Sequence, residues 1–142
     1  MERIEWDEAM SVGCVALDRQ HRTLFSLYND LVDRLGGLGA DNTQPSSAEI
    51  LEKLIDYINV HFEYEEDLLS AAGYPDLALH QDQHETFIKK VLAAQATLSA
   101  DFISDQWQDF GSFLGHWLLG HVMVVDKLYS SCLERAALPV SG

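Results

Sequence analysis

Residues 51–72 read LEKLIDYINVHFEYEEDLLSAA, and the spacing of their apolar side chains predicts a helix. Leu51, Leu54, Ile58, His61, Glu65, Leu68 and Ala72 fall three or four positions apart, so they share one face. Glu52, Lys53, Asp56, Asn59, Glu63 and Asp67 take the opposite face, as a helix packed on a core requires. Two members of the inward stripe are polar, His61 and Glu65. A polar group on a buried face is costly unless something satisfies it.

The same pattern recurs on both sides of this stretch. Gly73-Tyr74-Pro75 stops the helix, and Pro75-Asp76 can start the next. That next stripe is Leu77, His80, His84, Phe87, Val91, Ala94 and Leu98, again with two polar members. A further stretch from about Asp105 to Arg135 carries Phe110, Leu114, Trp117, His121, Leu128 and Cys132 on one face. Upstream, a helix is expected to open at Asp18, a good N-cap residue, and to run through Leu24, Leu27, Leu31 and Leu35 to Gly36, Gly37 and Gly39. Asp41 to Ser47 is a loop by composition, and the segment up to Leu17 has no sustained period. Short connections between four amphipathic helices imply antiparallel neighbours. The expectation is an all-α, up-down-up-down four-helix bundle forming one domain over residues 1–142, with an N-terminal arm (1–17) and the bundle at 18–135.

Composition removes several functions. The 142 residues carry 9 Lys and Arg against 23 Asp and Glu, a formal net charge of -14. Nucleic acid and anionic membranes are bound through clustered cations, so neither is expected as a partner. The N-terminus has neither a basic nor an apolar leader region, and no apolar run approaches the ~18 residues of a membrane span. Cys14 and Cys132 make no disulfide framework, so a reducing, cytoplasmic setting is expected.

The chemistry lies in the inward polar residues: His21, His61 and Glu65, His80 and His84, and His121 with Asp126, drawn from all four helices. A single inward histidine is more often a hydrogen-bonded core residue than a ligand, but a buried cluster of this size is hard to satisfy without a metal. The i,i+4 pairs His61/Glu65 and His80/His84 place both side chains on one face, as converging ligands require. Asp126 is the exception. Five residues at about 100° each leave it about 140° from His121, so a helix irregularity between the two is expected, of the π type that recurs at functional sites. His116 falls off the stripe, and Glu63, Glu66, Asp67, Asp101, Asp105 and Asp109 read as solvated faces. Cys14 reads as an inert buried thiol. Five imidazoles and two carboxylates exceed one ion's capacity and suit a carboxylate-bridged pair; iron, zinc, copper and nickel accept such ligands, and an octahedral preference favours iron over zinc. Oxygen-activating ferritin-like bundles use Glu-x-x-His motifs, and no histidine here has Glu three residues before it.

These residues resemble the hemerythrins, in particular the bacterial hemerythrin-like domains. The matching segments are Trp6 with Ser11-Val12-Gly13, Asp18-Arg19-Gln20-His21, His61-x-x-x-Glu65, Tyr74-Pro75 ahead of His80-x-x-x-His84-x-x-Phe87, and Trp117-Leu118-x-x-His121-x-x-x-x-Asp126. The resemblance implies two non-haem iron ions with a bridging oxo or hydroxo group. One would be held by His80, His84 and His121, the other by His21 and His61, with Glu65 and Asp126 bridging and dioxygen as the ligand of the second. Leu24, Phe62, Trp117, Leu118 and Val122 match the family's apolar dioxygen pocket, whose role is to exclude water and protons. Val122 stands where isoleucine is common and Cys14 where an aliphatic residue is usual.

The expected function is therefore reversible dioxygen binding for carriage, storage or delivery, with no catalytic residues and no enzyme activity. The alternative is an oxygen- or redox-sensing domain. The chain ends at Leu138-Pro139-Val140-Ser141-Gly142 with no output domain, though a piece of a longer protein would look the same. A di-iron peroxidase or ferroxidase stands third, because the positions facing the open iron are apolar. No protein partner is identified by these residues.

Overall fold

The computed structural model describes residues 2–36, 45–98 and 105–135. Four long helical runs account for nearly all of them, with no strand among the described residues: α1 (Val15–Leu35), α2 (Ser47–Ala71), α3 (Leu77–Thr97), and a composite fourth run. That run is α4 (Asp105–Gly120), a π turn (His121–Val125), a 3-10 turn (Asp126–Tyr129) and α5 (Ser130–Arg135). α1 packs against α2 and α4, and α2 against α3, which is the four-helix bundle expected. Gly37, Gly39, residues 41–44, Asp101 and the last five residues lie outside the described residues.

Local chemistry sets the boundaries. Ser46 caps α2 by accepting from the Glu49 N–H at 3.1 Å. Its other end closes at Gly73, whose φ of 69° lets the Tyr74 N–H reach back to the Leu69 carbonyl at 3.0 Å. The first helix departs from expectation by opening at Val15 rather than Asp18. Asp18 is engaged instead with the arm, accepting from Ser11 Oγ at 2.5 Å and the Val12 N–H at 2.9 Å. Asn29 holds the arm's other end, accepting from the Ile4 N–H at 2.7 Å and donating to the Ile4 carbonyl at 2.8 Å. The arm's single 3-10 turn (Glu8–Met10) packs against the π turn.

Two apolar clusters fill the interior. The larger holds Leu24, Leu31, Leu51, Leu54, Ile58, Phe62, Phe87, Val91, Trp107 and Leu114. A smaller one gathers Val12, Cys14, Leu17, Leu69, Tyr129 and Cys132, and both cysteines are free and buried. Leu128, expected on the inner stripe, is instead 65% exposed. The π turn adds a residue to the helix and rotates everything after it, so Tyr129 takes the inward place. Among the described residues no helix is long and apolar enough to cross a membrane.

Candidate metal centre

All seven inward polar residues converge. His21, Glu65 and Asp126 have no exposed surface, and His61, His80, His84 and His121 are buried. Their ligand-type atoms form two overlapping groups, each with all such atoms within 4.8 Å of one another: Glu65, His80, His84, His121 and Asp126 in one, and His21, His61, Glu65 and Asp126 in the other. Glu65 and Asp126 belong to both.

Asp126 reaches the centre through the irregularity expected from the sequence. The backbone between His121 and Val125 is a π turn, with the Asp126 N–H bonded to the His121 carbonyl five residues back. Both residues thereby share one face, and Asp126 Oδ1 lies 2.9 Å from His121 Nε2.

Short contacts knit the cluster. Glu65 Oε1 lies 2.6 Å from His80 Nε2 and 3.3 Å from His84 Nε2, and Glu65 Oε2 lies 3.3 Å from His61 Nε2. His21 Nε2 is 3.1 Å from Asp126 Oδ2. Tyr129 Oη donates to Glu65 Oε2 at 3.0 Å. Outside the cluster, His61 Nδ1 lies 2.6 Å from Gln20 Oε1 and His84 Nδ1 lies 2.8 Å from Glu66 Oε2. Amide and carboxylate oxygens only accept, so both Nδ1 atoms carry the proton and donate, and in the neutral rings both Nε2 atoms face inward as lone pairs.

In the metal-free protein, protons take the place of a cation. Burial opposes charge on His21, but Asp126 and Glu65 outweigh it and raise its pKa to about 9. His80, with the same opposing causes, also rises to about 9. Burial dominates at His61 and lowers its pKa despite Glu65. Burial works to raise Glu65, yet His61, His21 and His80 hold it well below the usual carboxylate range. Asp126 is lowered as well, because His121 and His21 overcome burial and the repulsion of Glu65.

The donor set fits a metal. Both nitrogens of His21 and both oxygens of Asp126 are buried without a hydrogen-bond partner, their mutual approach lacking the required alignment. His84 Nε2 faces His121 Nε2 at 3.0 Å and Glu65 Oε1 at 3.3 Å. Buried donor atoms without partners are unfavourable by themselves, and a cation in place of the protons would relieve them.

Phe62 stacks on His84 at 3.6 Å and 2°, and Trp117 stacks on His121 at 4.3 Å and 11°. Leu24, Leu118 and Val122 belong with Phe62 to the larger apolar cluster, and Trp117, partly buried, packs against it. Of the five apolar residues singled out from the sequence, Phe62 and Trp117 therefore contact rings of the centre directly, and all five belong to or pack against this cluster. His116 is exposed, as its place off the stripe implied. Glu66 is not simply a solvated acid: its side chain is 25% exposed and engages His84. Gln20, Glu66 and Tyr129 are the site residues that sequence reasoning missed as contacts. The available signal was their position beside or one turn from a ligand candidate, at the edge of an inward stripe.

The family description "Hemerythrin HHE cation binding domain" matches residues 13–133. The chain belongs to the hemerythrin family. It is 30% identical over 132 residues to the bacteriohemerythrin of Stenotrophomonas maltophilia, covering 92% of this chain and 81% of that one. It is 33% identical over 124 residues to the bacteriohemerythrin of Methylococcus capsulatus, covering 82% and 86%. A crystal structure of wild-type hemerythrin superposes with a TM-score of 0.72 at 31% identity, covering 93% of this chain and 98% of that one. Hemerythrin membership supports a di-iron oxygen-binding protein in general, and the buried His, Glu and Asp cluster fits a non-haem di-iron site.

Proposed function

We propose that this hemerythrin binds dioxygen reversibly, for carriage, storage or delivery, at two non-haem irons with a bridging oxo or hydroxo group. His80, His84 and His121 would hold one iron and His21 and His61 the other, with Glu65 and Asp126 shared between them. The observation that carries this reading is the sharing of both carboxylates by two otherwise separate donor groups. Three imidazoles on one side and two on the other leave the His21/His61 side with the fewer protein ligands, and hence with room for an exogenous one.

When bound, an iron pair supplies reducing electrons and an open coordination position for dioxygen. The chain's own residues do the rest. Gln20 and Glu66 fix the tautomers and planes of His61 and His84. Tyr129 orients Glu65 by donating to its Oε2. Leu24, Phe62, Trp117, Leu118 and Val122 exclude water and stray protons, which favours release of the ligand unchanged over chemistry on it. Binding without turnover fits these five side chains, none of which is titratable. The helices and arm act as a single hemerythrin-like domain.

The test is spectroscopic. The iron-loaded protein, reduced without oxygen, should develop a visible charge-transfer band when dioxygen is admitted and lose it when dioxygen is removed. A single irreversible conversion to the oxidised state, with peroxide in solution, would refute the carrier reading.

A further inference from the structure

The outer hydrogen bonds of the two donor groups are not equivalent. His84 donates its Nδ1–H to a carboxylate, Glu66 Oε2, at 2.8 Å. His61 donates its Nδ1–H to a neutral amide oxygen, Gln20 Oε1, at 2.6 Å. His21, with no exposed surface, has no hydrogen-bond partner at Nδ1. One of the three rings in the His80/His84/His121 half is therefore backed by an anion, whereas the other half has an amide behind one ring and no anion behind either among the described residues.

This difference has a direction. An anionic acceptor draws the Nδ1 proton toward itself and raises electron density on the inward nitrogen, which makes the imidazole a stronger donor; an amide does so less. The half containing His84 also has three imidazoles against two. Both inequalities favour the same half. The ring of His84 is further held on its face by Phe62, stacked at 3.6 Å and 2°, so Glu66 needs only to fix rotation within that plane. Glu66 sits in a groove of about 610 Å³ between α2 and α3, shared with Glu63, Asp67 and Glu85. Glu85 in that groove is paired with Lys89 at 2.9 Å, and Glu66 is the carboxylate that reaches the outer nitrogen of His84.

We propose that Glu66 is a positioning residue that makes the His80/His84/His121 half the tighter metal position, so that the two ions load in order, that half first. This rests on the seven-ligand assignment given above. The role of Glu66 is separable from it, because Glu66 contacts no position where an ion would sit except through His84.

The experiment is an anaerobic titration of the metal-free full-length protein with Co(II), read by calorimetry and by the visible cobalt bands. The wild-type protein should take up two ions in two resolved steps. Glu66→Gln keeps an accepting oxygen but removes the charge, giving His84 the same backing as His61. It should weaken the first step roughly 10- to 100-fold and leave the second unchanged, with the helical signal and melting temperature of the metal-free protein preserved. Gln20→Glu is the reciprocal change and should tighten the second step, narrowing the gap from the other side; it keeps the proposal testable if Glu66→Gln fails to fold. Two ions of equal affinity in the wild type, equal weakening of both steps in Glu66→Gln, or no effect on the first step would overturn the role of Glu66. Uptake of fewer than two ions per chain would instead overturn the ligand assignment itself.

Discussion

Loading the metal-free protein with a divalent ion is expected to expel protons in a number that depends on pH. His21 and His80 are the source. Burial works against charge on both rings, but Glu65 and Asp126 raise each to about 9, so both are cationic at pH 7. An imidazole must be neutral to bind a metal, so each ring gives up one proton. His61, lowered by burial, and the two carboxylates, held low by the surrounding imidazoles, contribute none. The release from these two rings is therefore about two protons per chain at pH 7, falling to about one at pH 9, where each is half titrated. A hydroxide bridge formed from water would add a proton at both pH values and leave the difference intact. Calorimetry in buffers of different ionisation enthalpy counts the protons directly. A count that stays flat or rises between pH 7 and pH 9 would refute the account. The same shifts bear on stability: both folded-state values lie above the unfolded value near 6.5. Their stabilisation of the metal-free fold is complete below about pH 6.5 and lost as pH rises through about 9, so its melting temperature should fall across that window.

Three substitutions test other parts of the structure. Gly115→Ala would put a Cβ 2.7 Å from Cζ of buried Tyr28, whose hydroxyl donates to the Gly111 carbonyl. Overpacking of about 1–3 kcal/mol should outweigh the ~1 kcal/mol helix gain, and a thermal melt showing net stabilisation would contradict the packing described. Asn29→Ala removes both bonds that hold Ile4 and should cost about 1–3 kcal/mol while speeding tryptic cleavage after Arg3; unchanged cleavage would mean the arm is held elsewhere. Val122→Ile adds a methylene to the apolar cluster and should slow autoxidation of the iron-loaded protein, measured as decay of the oxygenated band. An unchanged rate would show that residue 122 does not control access.

How far the sequence could be read depended on the kind of information each residue carries. The facing of His61, Glu65, His80 and His84 was legible because it follows from helical period alone, and a polar residue on an apolar stripe is visible without knowing its neighbour. Asp126 was legible for the opposite reason, since a regular helix would have misplaced it. Leu128 was misplaced by applying that regular period beyond the π turn. The start of α1 was missed because Asp18 has the chemistry of a helix cap but spends it on Ser11 and Val12 of the arm. Glu66 and Gln20 were out of reach in their contacts, because each engages a ring on another helix. Periodicity says which way a side chain faces, not which partner waits there.

The π turn also bears on how this chain can change over generations. Removing any one residue among Val122, Met123, Val124 and Val125 would let the fourth run continue as an ordinary α-helix, with better-formed backbone bonds. The same deletion would leave the carboxylate four residues after His121, on the same face of a regular helix, with the tyrosine still three residues beyond it. Straightening the run at its present length would instead swing Asp126 about 140° away from the centre and withdraw the tyrosine hydroxyl that steadies Glu65. The extra residue and the π turn are thus bound to each other: a chain that must keep its metal can lose both together but neither alone.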